Sequence, residues 1–220
     1  TNIVLSNINQ TENCRAAFWY DDGVALSNST LGGIKAFREC KNLKIEKCKI
    51  VSPEFGWRCH NIVLRDSQLD SMYAFFECSN LQISNLSFVG KYSFQYDVDM
   101  TIVDSNLDTK DAFWHTKNVT VKNSVIKGEY LGWYSENLTL INCKIVGTQP
   151  LCYCKNLTLI DCTTENCDLA FEYSEVNGNI IGDVVSVKNP IKGRLMIDGK
   201  TELIVDDNDR SNGNFVLVSK

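Results

Sequence analysis

A period of 19 residues runs along most of this 220-residue chain and constrains its fold more than any other feature. The stretch NLTLINC at 137–143 returns as NLTLIDC at 156–162. The anchors of this grid are Asn42, Asn61, Asn80, Asp99, Asn118, Asn137 and Asn156, with Gly23 and Glu175 also on it. Asn2 joins the grid if one early coil is two residues longer. A fixed period near 20 residues is typical of a solenoid, because each coil buries its apolar face only against its neighbours.

Apolar residues follow each anchor at alternate positions, which is the pattern of β-strands. The position after the anchor holds Val24, Leu43, Ile62, Leu81, Met100, Val119, Leu138, Leu157 and Val176. A coil of this length accommodates three short strands and three turns, so the period predicts an all-β, single-stranded parallel β-helix. We assign residues 1–176 to the coils. Residues 177–220, where the grid fades, are assigned to closing coils and a C-terminal cap.

A leucine-rich-repeat-like solenoid is the alternative fold. Leu138, Leu140, Cys143 and Ile145 are spaced as in the strand of such a repeat. The remainder of each coil is aromatic and turn-like and leaves no room for a helix, which favours the β-helix.

The anchor column is rich in asparagine, a residue that adopts the left-handed turn conformation at low cost. Amides stacked in register can also hydrogen-bond from coil to coil. The sequence therefore predicts an asparagine ladder.

The 10 cysteines follow the same grid. One column holds Cys40, Cys59, Cys78 and Cys154, and another holds Cys48, Cys143 and Cys162. Ser or Thr fills several of the remaining slots, which indicates small inward side chains and free thiols. The pairs Cys152/Cys154 and Cys59/His60 lack the two spaced ligand pairs of a zinc site, so neither a metal nor another cofactor is predicted.

Charge and hydropathy exclude two classes of partner. The net charge is −5, the isoelectric point is about 5.1, and no basic run occurs, which argues against a nucleic acid. No apolar stretch approaches the roughly 20 residues of a membrane-spanning helix. Free thiols and the lack of a signal-peptide pattern lead us to expect a cytoplasmic protein.

The third segment of each coil is aromatic and varies most. Its last position is often Cys, Ser or Thr, and if that side chain points inward, period 2 sends the preceding one outward. The outward column would then hold Tyr20, Glu39, Arg58, Glu77, Tyr96, His115, Tyr134, Tyr153 and Glu172. On the same face we expect Phe37, Phe75, Phe94 and Phe113. The same register sends Arg38 and Gln95 inward, unless a bulge or a turn interrupts the segment.

Aromatic rings interleaved with Glu, Arg and His along a rod suit an extended saccharide. Ring faces stack on the C–H surface of sugars, and charged groups bind their hydroxyls. The predicted ligand-binding residues are Tyr96, His115, Tyr134, Tyr153, Glu172, Phe75, Phe94 and Phe113. A non-catalytic scaffold that binds another protein through this face is an alternative, as is a surface ladder without a ligand.

Catalysis is weakly indicated. Glu39 and Glu77 lie two coils apart, which places their backbones about 10 Å from each other. Arg58 between them would keep both carboxyls ionised, whereas a general acid needs a raised pKa. No Gly-rich phosphate loop, Gly-x-Ser-x-Gly elbow or His-Glu-x-x-His sequence is present. We therefore do not predict an enzyme, and a polysaccharide lyase or hydrolase on the same face is the alternative.

Several segments of the C-terminal two thirds carry a family resemblance. They are YSFQY (92–96), DAFWHTKNVTV (111–121), GEYLGWY (128–134), GTQPLCY (147–153), DLAFEYS (168–174) and SVKNP (186–190). They resemble the domain-of-unknown-function 3737 family, bacterial proteins grouped with the pectate-lyase-like β-helices. The resemblance implies a right-handed parallel β-helix and no established activity. The Asp clusters and catalytic Arg or Lys of related pectinases have no counterpart here.

Overall fold

The computed structural model describes residues 2–220, which form β-strands joined by tight turns. The strands are β1 (Ile3–Ser6), β2 (Asn9–Gln10), β3 (Asp22–Ser27), β4 (Thr30–Leu31), β5 (Lys41–Glu46), β6 (Lys49–Val51), β7 (Glu54–Phe55), β8 (His60–Ser71), β9 (Tyr73–Ala74), β10 (Ser79–Lys91), β11 (Val98–Val103), β12 (Asn106–Lys110), β13 (Lys117–Lys122), β14 (Val125–Lys127), β15 (Glu136–Ile141), β16 (Lys144–Val146), β17 (Leu157–Glu165), β18 (Val176–Ile181), β19 (Ser186–Lys188), β20 (Gly193–Asp198), β21 (Glu202–Ile204) and β22 (Phe215–Ser219).

Each coil pairs in parallel with the next, and the pairing follows the period of the sequence. Val119 in β13 lies opposite Leu138 in β15, and Thr120 lies opposite Thr139. Most of the strands join one 18-stranded sheet that winds around the molecule. The result is a parallel β-solenoid of about 11 turns. The predicted parallel β-helix is confirmed, and the leucine-rich-repeat alternative is not, because residues 2–220 contain no helix.

The core is a continuous column of apolar side chains from successive coils. In β13, Val119 and Val121 are buried while Lys117 and Lys122 face solvent. The same alternation recurs in β11 and β15. Stacking therefore buries one side of every strand, which is the reason for the period-2 pattern in the sequence.

Asparagine side chains connect the coils along two columns. At the anchor position, Asn137 donates from Nδ2 to Oδ1 of Asn118 at 2.8 Å, and Asn156 donates to Asn137 at 2.8 Å. Five positions later a second column forms, in which Asn142 donates to Asn123 at 3.0 Å. Both columns have left-handed backbones, with φ of 56° at Asn137 and 50° at Asn142. From Asp66 to Asp161 the second column also repeats Asn or Asp in every coil, a signal that our sequence analysis missed.

Coil length changes near both ends of the chain. Ile3 pairs with Val24, which gives the first coil the two extra residues expected from the position of Asn2. Beyond β17 the spacing shortens, since Gly178 pairs with Leu195, and it then lengthens between β20 and β22. These last strands still pair in parallel and continue the stack. The division of the chain at residues 176 and 177 stays a prediction.

All ten cysteines are free thiols, and nine of them are buried. The seven cysteines of the two columns described above are all buried, as the small inward slots shared by Cys, Ser and Thr predicted. Burial raises the pKa of Cys154 and of Cys162 to about 11. These thiols pack as small apolar side chains and are poor nucleophiles at neutral pH. Residues 2–220 also contain no helix that is long and apolar enough to cross a membrane.

Asp97 occupies the same inward column as Cys78 and is fully buried. Its Oδ1 accepts a hydrogen bond from the Cys78 amide at 2.7 Å, while Oδ2 has no hydrogen-bond partner among the described residues. Burial raises the pKa of Asp97 well above its usual range, because desolvation disfavours the charged carboxylate. The folded state therefore favours the protonated acid in this slot.

The anchor column can be tested at Asn137. Asn137→Ala removes two inter-coil hydrogen bonds and places a Cβ-bearing residue without a polar side chain at φ 56°. Since the left-handed conformation costs about 1–2 kcal/mol for such a residue, we expect Asn137→Ala to be less stable than Asn137→Gly by that amount. Urea unfolding measures both, and equal stability of the two variants would contradict a role for the backbone conformation.

The buried carboxyl of Asp97 predicts a pH dependence of stability. Because its folded pKa is raised, its contribution is fully present below the unfolded pKa of about 3.9 and is lost as pH rises toward the folded pKa. Asp97→Thr, which imitates Thr116 in the next coil, should raise the free energy of unfolding at pH 7 by about 1–3 kcal/mol. Urea unfolding at a series of pH values from about 4 to about 8 checks this, because the slope of stability against pH counts the protons that unfolding releases or takes up. The exposed Asp70→Asn is the control, and an unchanged pH slope in Asp97→Thr would refute the assignment.

Candidate functional site

The aromatic segment of each coil does not run as a plain strand. In the coil that contains Phe113, φ is 63° at Phe113 and 56° at His115, so left-handed residues alternate with others. The segment therefore turns sharply, and inward and outward positions no longer alternate with period 2. Phe113 and Thr116 point into the core, Trp114 is half-buried, and His115 is exposed.

The phenylalanines of this segment belong to the core. Phe75 and Phe94 are 0% exposed and Phe113 is 1% exposed, and Phe37 is buried in the same way. Phe94 stacks on Phe75 at 5.3 Å and on Phe113 at 5.1 Å between ring centroids. The placement of these residues on the outer face was wrong, because the left-handed turns rotate them inward.

The position between the buried Phe and the exposed residue is half-buried in several coils. Trp114 and Trp133 stack at 5.6 Å, and the indole of Trp114 donates to the carbonyl of Tyr130 at 2.6 Å. In the same column, the Arg38 guanidinium lies 5.3 Å from the Trp19 ring centroid and 4.9 Å from that of Trp57. Arg38 is thus held between two aromatic rings and does not point into the core, contrary to the simple register.

The outermost position of each segment forms what we call the outer column. Its members are Tyr20, Glu39, Arg58, Glu77, Tyr96, His115, Tyr134, Tyr153 and Tyr173. All of them have positive φ. The column includes every residue predicted to point outward except Glu172. One additional residue in this coil shifts the register, so that Cys154 aligns with Ser174, and Tyr173 takes the place expected for Glu172. Glu172 instead pairs with Lys188 at 2.9 Å.

Four consecutive members of the outer column form a continuous row of rings. His115 stacks on Tyr96 and on Tyr134 at 4.9 Å each, and Tyr134 stacks on Tyr153 at 4.7 Å. The planes deviate from parallel by 5° to 13°. We call these four side chains the ring row. Tyr173 continues it with a tilted ring, 5.6 Å from Tyr153.

The ring row presents edges and not faces to solvent. Within the row, each shared interface covers a face of both rings, yet Tyr96 is 48% and Tyr134 46% exposed. The exposed part is therefore the outer edge, which carries the tyrosine hydroxyls and the imidazole nitrogens. Stacking of a sugar on ring faces, which the sequence suggested, is blocked along the interior of the row.

Charged residues occupy the outer column on the N-terminal side of the ring row. Arg58 donates from Nε to Oε2 of Glu77 at 2.7 Å, and this bond raises the pKa of Arg58. Glu39 lies on the other side of Arg58. The structure thus brings together the three weak catalytic candidates, Glu39, Arg58 and Glu77, as a Glu–Arg–Glu arrangement. Its main geometric feature is an ion pair that neutralises one carboxylate.

A polar cleft of about 520 Å³ lies at this end of the column. Its lining residues are Tyr20, Asp21, Asp22, Glu39, Lys41, Arg58 and His60. Two neighbouring columns form its walls, since Asp22, Lys41 and His60 are register partners in successive coils. Our sequence analysis did not select Lys41, although it lies on the 19-residue grid with Asp22 and His60. No group of three or more His, Cys, Asp or Glu within residues 2–220 is placed to hold a metal ion.

The chain matches one family model and distant solved structures. The model of the family described as "Protein of unknown function (DUF3737)" matches residues 1–218. A search of curated proteins gives no match.

The search of solved structures gives matches of low similarity, of which two are described here. The mannuronan C-5 epimerase A-module of Azotobacter vinelandii is 11% identical, with a TM-score of 0.39, and the match covers 99% of this chain and 85% of that one. A surface adhesin of Streptococcus pneumoniae is 8% identical, with a TM-score of 0.27, over 93% of this chain and 71% of that one. At these TM-scores neither similarity bears on function.

The revised placement of the aromatic residues predicts different costs of truncation. Phe113→Ala creates a core cavity and should lower the free energy of unfolding by about 3–5 kcal/mol. Tyr134→Ala removes a half-exposed ring that contributes mainly stacking, and should lower the free energy of unfolding by about 0.5–1.5 kcal/mol. Denaturant unfolding of the two proteins measures the difference. A larger loss for Tyr134→Ala would place the phenylalanines outside and the tyrosines inside.

Proposed function

This chain belongs to the family described as protein of unknown function DUF3737, and since that description assigns no activity, we propose from the outer column that it binds an extended saccharide. The observation that carries the proposal is the ring row. It repeats one hydrogen-bonding edge per coil, at ring spacings of 4.7 to 4.9 Å.

The exposed groups of the ring row match the chemistry of a sugar chain. A tyrosine hydroxyl both donates and accepts a hydrogen bond, as does a neutral imidazole, and sugar hydroxyls do the same. An extended chain that lies along the solenoid axis meets such a group at every coil. The contacts are therefore edge-on hydrogen bonds, and the ring row supplies a rigid surface because stacking holds each ring in place.

The charge distribution supports a polyhydroxylated ligand over a polyanion. The ring row itself carries no full charge when His115 is neutral. The adjoining part of the outer column holds the paired Arg58 and Glu77, together with Glu39. A phosphate polymer requires clustered unpaired cations, and the outer column lacks them.

The binding surface is long enough for an oligomer. The ring row covers three coil steps, or about 14 Å, and the outer column from Tyr20 to Tyr153 covers seven, or about 34 Å. An oligomer therefore makes several weak hydrogen bonds at once. The affinity should rise with ligand length up to this limit.

The test is binding of neutral oligosaccharides to the wild type and to a Tyr134→Ala/Tyr153→Ala variant. Each lost hydrogen bond contributes about 1 kcal/mol, so the variant should bind at least about tenfold more weakly. Calorimetric titration after a glycan-array screen gives the affinities. Tyr73→Ala is the matched control, since Tyr73 is 42% exposed and stacks on Tyr92 outside the outer column.

Three outcomes would decide between this function and its rivals. Binding that the double variant loses and Tyr73→Ala retains supports the saccharide surface. Turnover of the bound oligomer would indicate a polysaccharide-active enzyme on the same face. Failure to bind any glycan would reject the proposal and favour a protein-binding scaffold.

A further inference from the structure

We propose that the cleft at the N-terminal end of the outer column binds the ammonium group of an amino sugar within the saccharide. This inference rests on the proposed function and specifies its substrate class. The ligand is a chain of hexosamine units with free amines, with one unit in the cleft and others along the ring row.

The carboxylates of the cleft outnumber its cations. Asp21, Asp22 and Glu39 line the cleft together with Lys41 and Arg58. The Arg58 guanidinium is already bound to Glu77 at 2.7 Å, whereas Lys41, the register partner of Asp22, forms no ion pair within residues 2–220.

With Glu77, the partner of Arg58, included, four carboxylates face two cations among the described residues, so the formal charge of these Asp, Glu, Lys and Arg side chains is −2. Asp22 also accepts a hydrogen bond from the Asn42 amide at 2.6 Å. Asp21, Asp22 and Glu39 line the cleft without an ion pair among the described residues, so their carboxylates are available to a cation from solution. A negatively charged sugar would meet net repulsion in this cleft, whereas an ammonium group would be attracted.

Tyr20 adds an aromatic surface to the same cleft. It is 69% exposed and meets Trp19 in an edge-to-face contact at 6.5 Å, so no parallel ring stacks on it from that neighbour. An ammonium group within about 6 Å of the centre of an aromatic ring is attracted by the π electrons. A solvent-exposed tyrosine ring beside carboxylates attracts an ammonium group through cation–π and ionic interactions, neither of which a neutral hydroxyl can form.

Position along the solenoid connects the cleft to the ring row. Tyr20 and Tyr96 belong to the same outer column and are four coils apart, which is about 19 Å. Glu39, Arg58 and Glu77 fill the intervening coils. A chain that lies on the ring row and continues along the column therefore reaches the cleft without a bend.

The experiment compares three oligosaccharides of equal length and linkage by calorimetric titration. They are oligomers of glucosamine, of N-acetylglucosamine and of glucose, measured at a pH where the glucosamine amines are charged. Hydrogen bonds to charged groups are stronger than those between neutral groups, so the glucosamine oligomer should bind at least about tenfold more tightly than the other two. Added salt should reduce this preference.

Variants locate the preference in the cleft. Glu39→Gln keeps the size of the side chain and removes its charge, and it should bring the glucosamine oligomer close to the affinity of the acetylated one. Asp108→Asn is the control, because Asp108 is a surface carboxylate outside the cleft that pairs with Lys127 at 2.8 Å. The control should retain the full preference.

A different result would contradict each part of the proposal. Equal affinity for all three oligomers, lost in Tyr134→Ala/Tyr153→Ala, would overturn the ammonium site and leave the proposed function standing. If Glu39→Gln kept the full preference for the glucosamine oligomer, the ammonium site would not lie in the cleft. Binding of spermidine as tight as that of the glucosamine oligomer would show a site for free amines and overturn the amino-sugar assignment. If no oligomer binds, the inference and the proposed function both fail.

Discussion

In-register parallel pairing between successive coils is the interaction on which the rest of this structure depends. In the regular coils each strand bonds to the strand 19 residues away, as where Val119 lies opposite Leu138. Side chains at equivalent positions of successive coils therefore lie next to one another. Core methyl groups, inward thiols, asparagine amides and aromatic rings all become continuous columns. None of these columns exists in an isolated coil, and each adds to the cohesion that selects this register.

The same stacking decides what the surface can bind. Because His115 lies between Tyr96 and Tyr134 at strand spacing, the rings cover one another's faces and leave their edges exposed. A regular array of hydrogen-bonding edges results, with a rigidity that comes from the solenoid. Toward the N-terminal end, Glu39 and Arg58 occupy the outer column in place of rings and line a cleft. The exposed groups there are charged, whereas those of the ring row are hydroxyls and an imidazole. The proposed ligand follows this order along the axis.

The sequence predicted the fold but only part of the candidate site. The anchor asparagines and alternating apolar residues predicted the coils, because one physical requirement repeats in each coil. The outer column was predicted except at one end, where an extra residue replaced Glu172 by Tyr173. The inward rotation of Phe94 and Phe113 was missed, since alternation was extended through residues with left-handed backbones. Aromatic residues carry no pattern that marks a positive φ.

Between residues 22 and 162 the sequence by itself determined the coil length, the register and the residues of each column, because these depend only on spacing along the chain. Only the tertiary structure decided that the phenylalanines of the aromatic segment lie in the core. It also decided that ring faces are used for stacking within the protein and that Asp21, Lys41 and Arg58 share one cleft. These features depend on local backbone turns and on distances between coils. The order of residues along the chain, even with a regular period, specifies neither these turns nor these distances.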